Sequence, residues 1–77
     1  MTDFETTIGL KADHTLKQIR ASLGTYDDDW IYEERDAQGQ LVAIYERWHY
    51  SAPRQMLYAG WRKLTPNGEL LEEHRDR

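Results

Sequence analysis

Seventy-seven residues with fourteen acidic and ten basic side chains, no cysteine and a net charge of -4 set the limits of this chain. The length fits one domain, near the size at which an unassisted hydrophobic core suffices. Without cysteine there is no disulfide framework, redox pair or thiolate zinc site, and the negative balance opposes non-specific attraction to phosphate backbones or anionic lipid.

The start, Met1-Thr2-Asp3-Phe4-Glu5, is acidic with no apolar run behind it. Neither a signal peptide nor a membrane span is expected, and a reducing, cytoplasmic setting fits the missing thiols. Residues 2–12 mix apolar Phe4, Ile8 and Leu10 with Thr6 and Thr7, which favour strand, and read as a short irregular or extended arm. Residues 13–24 read as a helix. Asp13 is placed to cap it, Leu16, Ile19 and Leu23 recur at i, i+3 and i+7, and Gly24 is a suitable stop.

Asp27-Asp28-Asp29 then leads into four strand candidates, at about residues 29–36, 40–50, 55–64 and 68–74. Two tight turns organise them. Asp36-Ala37-Gln38-Gly39 and Thr65-Pro66-Asn67-Gly68 suit type I geometry closed by a left-handed glycine, a hairpin that carries a bulge. Residue 36 then opposes 40, and residue 65 opposes 69. Ser51-Ala52-Pro53-Arg54 supplies the remaining connection. Connections this short imply an antiparallel meander. The expected fold is α+β: one N-terminal helix packed on a four-stranded antiparallel sheet spanning residues 29–74.

That register puts Trp30, Tyr32, Val42, Ile44, Trp48, Leu57, Ala59, Trp61 and Leu71 on a core face. The opposite face receives Ile31, Leu41, Ala43, Tyr45, Arg47, His49, Met56, Tyr58, Arg62, Leu64, Leu70 and Glu72. It is too aromatic for an ordinary wet face and too charged for a second core. One helix covers only one face. A bulge in strand 40–50 would exchange part of this assignment, because one extra residue reverses the side-chain alternation.

Catalytic signals are weak. Ser22 and Ser51 stand in plain contexts, and no nucleophile elbow or glycine-rich phosphate loop accompanies them. Glu33-Glu34 and Glu72-Glu73 are adjacent in sequence and so point to opposite faces of a strand. His14, His49 and His74 lack ligand spacing, and Asp27-Asp28-Asp29 lacks the spaced oxygens of a calcium loop. No enzyme activity, metal or cofactor is expected.

The expectation is a protein-interaction module that self-associates, or binds another protein, through the second face or an edge of its sheet. Tyr45, Arg47, His49, Met56, Tyr58 and Arg62 are its candidate interface residues, since aromatics, Met and Arg concentrate at interface centres. Two alternatives use the same surface. One is a single-stranded nucleic-acid platform, with rings stacking on bases and guanidinium groups taking phosphates. The other is an acidic inhibitor that mimics nucleic acid. Fourteen acids offset by ten bases weaken both.

Overall fold

The structure, a computed structural model, describes residues 3–24, 27–50 and 58–75. A short helix α1 (Asp3–Ile8) precedes five strands: β1 (Thr15–Leu23), β2 (Asp27–Arg35), β3 (Leu41–Tyr50), β4 (Tyr58–Leu64) and β5 (Leu70–Arg75). They form one antiparallel sheet in the order β1-β2-β3-β4-β5. The meander is as expected, but the sheet has five strands rather than four. The helix lies in the segment read as an arm, and the segment read as a helix is β1.

The helical reading of residues 13–24 failed because of one bulge. Gln18 pairs with Tyr32 and Arg20 with Ile31, leaving Ile19 as an extra residue. Leu16 lies before the bulge and Leu23 after it, so an odd spacing of seven still puts both on one face. The same spacing in an unbroken chain imitates a helical stripe. Gly24 does not end a helix; its N–H donates to the Asp27 carbonyl at 2.7 Å, where β1 turns into β2.

Helix α1 has six residues, too few to be stable alone. Its end is a Schellman motif. Gly9 N–H donates to the Thr6 carbonyl and Leu10 N–H to the Glu5 carbonyl, with Gly9 in the left-handed region at φ 67°. Phe4 and Ile8, one turn apart, face the sheet.

Both predicted turns form. Asp36 N–H donates to Gln40 O at 3.0 Å and Thr65 N–H to Glu69 O at 2.8 Å, with Gly39 and Gly68 at positive φ. The Asp36 carboxylate also accepts from the N–H groups of Gln38 and Gln40, and the Thr65 hydroxyl from that of Glu69. Beyond the first turn the register slips. Arg35 pairs with Leu41 but Glu34 with Ala43, so Val42 is a bulge and every later residue of β3 changes face.

Tyr32 and Tyr45 therefore stand opposite each other beneath the helix. Among the described residues the buried apolar core is Phe4, Tyr32, Ala43 and Tyr45, with Ile8, Leu16, Trp30 and Trp61 packed around it. The Phe4 ring lies 4.8 Å from that of Tyr32 and meets Tyr45 and Trp61 edge-on, at 5.8 and 5.9 Å. Such geometry adds to burial about 0.5–1.5 kcal/mol per aromatic pair.

Candidate functional site

Trp30, Tyr32, Ala59 and Trp61 lie on the helix-covered face, as expected. Ala43, Tyr45, Arg47 and His49 join them there because of the Val42 bulge, while Ile44 and Trp48 pass to the uncovered face. Leu71, expected in the core, is exposed. Leu57 and the 51–54 connection lie outside the described residues.

The six candidate interface residues are thus divided. Tyr45 is buried under the helix. Arg47 sits on the same side, its guanidinium 5.1 Å from the Phe4 ring centre and 5.3 Å from that of Trp30. His49 is on that side too, at an exposed position paired with Asp28 and Ala59. Tyr58 and Arg62 are on the uncovered face. Met56 lies outside the described residues. The structure keeps Tyr58 and Arg62 on one face with Ile31, as the sequence register had it, and adds Trp48, Tyr50 and Arg20, which that register had not grouped with them.

These side chains line an open concavity of about 560 Å³ running from Arg20 and Ser22 on β1, across Asp29 and Ile31 on β2 and Glu46, Trp48 and Tyr50 on β3, to Tyr58 and Arg62 on β4. Its floor is built at one point by the absence of a side chain. Gly60 pairs with Trp48, and a Cβ at position 60 would come within 2.7 Å of Trp48 Cζ2 as well as onto the His74 carbonyl oxygen. Only glycine leaves room for the indole. The Arg62 guanidinium lies 4.9 Å from the Trp48 ring centre, a cation–π contact.

Arg62 is held as well as stacked. Its Nε donates to Glu73 at 2.7 Å and its Nη1 to Glu46 at 3.5 Å; the hydrogen bond to Glu73 raises its pKa, and that bond together with one from Arg75 lowers that of Glu73. Tyr50 donates its hydroxyl to Asp29 at 2.8 Å, and this bond pushes the phenol above its ordinary value. Arg20, at the opposite side of the concavity, has no carboxylate partner among the described residues.

A second polar cluster lies under the helix. Glu34 is buried, 6% exposed, and accepts from the Tyr45 hydroxyl at 2.6 Å and pairs with His14 Nδ1. Burial alone would raise this carboxyl; the bonds from Tyr45 and His14 and the nearby Lys63 charge outweigh it and hold it below its ordinary value. Burial and the same carboxylate push the Tyr45 phenol up. Two donors thus satisfy one buried charge and tie the turn before β1 to the centre of the sheet. Among the described residues, no group of three His, Asp or Glu side chains is arranged to hold a metal ion, and no helix is long and apolar enough to cross a membrane.

No family model, curated protein or solved structure matches this chain.

Proposed function

We propose that this protein is a non-enzymatic interaction module that self-associates through the uncovered face of its sheet. One observation carries the proposal: the helix covers one side only, and the other side holds Ile31, Trp48, Tyr50 and Tyr58 around an open concavity. Tyr50 and Tyr58 are 38% and 44% exposed. Aromatic rings rimmed by Arg, Asp and Glu match the centre and rim of a protein interface.

The size of the core supports the same conclusion. Four buried apolar residues among those described are few for a chain near the lower limit of independent stability. Small domains of this kind commonly gain burial by oligomerising. A copy seated on the second face would supply what the first face gains from Phe4.

The face suits this role better than the edge. β1 is an edge strand and almost wholly exposed, but Lys17, Arg20 and the bulge at Ile19 are devices that discourage edge pairing. Nucleic acid suits the face less well, because Arg62 and Arg75 are already engaged by carboxylates.

The test is solution mass by light scattering across concentration and salt. A persistent mass near twice 9.2 kDa is the expected result. A monomer at every concentration would overturn the proposal.

A further inference from the structure

Arg47 is placed differently from the other described arginines. Arg35, Arg62 and Arg75 each donate to a carboxylate. Arg20 donates to none among the described residues, but it is exposed on an edge strand, where water serves its N–H groups. Arg47 is half-buried on the central strand, and its guanidinium also has no hydrogen bond or ion pair among the described residues. Rings hold it instead. It lies over Phe4 at 5.1 Å and over Trp30 at 5.3 Å. A cation–π contact uses the charge and none of the five N–H donors.

The surroundings on the helix side add apolar walls and no counter-charge. Trp30 and Trp61 are the cross-strand neighbours of Arg47, one on each side. The next pair along is His49 with Ala59, an exposed imidazole beside a methyl group. The sheet's carboxylates on this side are Asp28, Glu34 and Glu72. Glu34 is taken by Tyr45 and His14, and Glu72 bonds to His74. Asp28 stands opposite His49 and is not ion-paired with Arg47.

We propose that Arg47 anchors a binding site for a small organic acid on the helix side of the sheet. Its guanidinium takes the carboxylate, and the indoles of Trp30 and Trp61 take the apolar body. Guanidinium N–H groups match a carboxylate as a two-bond fork, and bonds between such charged partners are the strong ones. Small-molecule sites are built in this way, from apolar walls and a few polar groups that orient the ligand. Ala59, two residues from Trp61 and on the same side, puts only a methyl group in the path of that body. One fixed cation balances one negative charge, and a chain of net charge -4 disfavours a second. A monocarboxylate therefore fits better than a phosphate dianion. The site lies on the opposite side of the sheet from the concavity and does not depend on self-association.

The test is titration with benzoate, followed through the indole N–H signals in proton–nitrogen correlation spectra. The signals of Trp30 and Trp61 are expected to shift and saturate, while that of Trp48, on the other side of the sheet, stays in place. Benzamide, of similar shape without the charge, and inorganic phosphate are expected to bind at least tenfold more weakly. Arg47→Gln should weaken benzoate binding at least tenfold. Arg47→Lys keeps the charge, loses the fork, and should also bind more weakly than wild type. Should Arg47→Gln fail to fold, Arg47→Lys and the benzamide comparison carry the test. No saturable shift of Trp30 and Trp61 in the wild-type protein, equal binding of benzamide, or unchanged binding in a folded variant overturns the site. A shift confined to Trp48 puts the ligand in the concavity and overturns it too. Phosphate binding as tightly as benzoate overturns the choice of a carboxylate.

Discussion

The indole of Trp48 occupies the space that a side chain at position 60 would need, across the pair that joins β3 to β4. The uncovered face is therefore shaped by a glycine as much as by its rings. Gly60→Ala sets its Cβ against both the indole and the His74 carbonyl, and is expected to cost about 1–3 kcal/mol, as overpacking does. Urea unfolding followed by tryptophan fluorescence measures it. An unchanged midpoint with an unchanged emission maximum would mean that the indole does not rest on this glycine.

The buried Glu34 carboxylate depends on two donors. Tyr45→Phe removes one and leaves the charge short of a partner, at a cost of about 1–3 kcal/mol. Tyr50→Phe removes the hydroxyl bonded to Asp29 at an exposed site, and should cost less than about 0.5 kcal/mol, as ordinary surface changes do. Equal effects in denaturant unfolding would contradict the difference in burial.

Acid should expose the same carboxylate. The pKa of Glu34 is lowered in the fold, so its contribution is complete above the ordinary glutamate value of about 4.3 and is lost as pH falls through the depressed folded value. Urea midpoints taken from pH 7 down to pH 3 should show wild type losing more stability below that point than Glu34→Gln. Parallel curves for the two proteins would show that Glu34 is not the group responsible.

Phe4 links the helix to three rings of the sheet. Phe4→Ala is expected to cost about 3–5 kcal/mol, a large share of what so small a domain holds. Thermal unfolding followed by circular dichroism should place its midpoint far below that of wild type. A loss under about 1 kcal/mol would mean that α1 contributes little to the core.

Turn chemistry was the legible part of this fold. Asp36 with Gly39, and Thr65 with Gly68, close their hairpins as their residue types dictate. The meander follows from them. Three bulges, at Ile19, Val42 and Leu71, were not legible in position. A bulge inserts one residue where no side chain demands it, so alternation read along the chain loses phase there. The first bulge made a strand resemble a helix, and the second sent Tyr45 inward and Trp48 outward.

The helix was missed for a related reason. Thr6 and Thr7 favour strand, and six residues give too short a stretch for periodicity. The usable signal was Gly9 after Ile8, a helix stop with Phe4 one turn earlier. For the site, residue types were legible and grouping was not. Aromatic and arginine excess pointed to an uncovered face, but only the register brings Tyr58 and Arg62 to Trp48, Tyr50 and Arg20.

Self-association through this face is tested most directly by light scattering of Tyr58→Glu beside Leu23→Glu at matched concentration. Both residues are exposed, at 44% and 72%, but Tyr58 lines the concavity, whereas Leu23 lies at the β1 edge on the helix side. Tyr58→Glu is expected to fall to monomer mass while Leu23→Glu keeps the mass of the wild-type dimer. A Tyr58→Glu protein that stays dimeric, or a Leu23→Glu protein that alone dissociates, would contradict it.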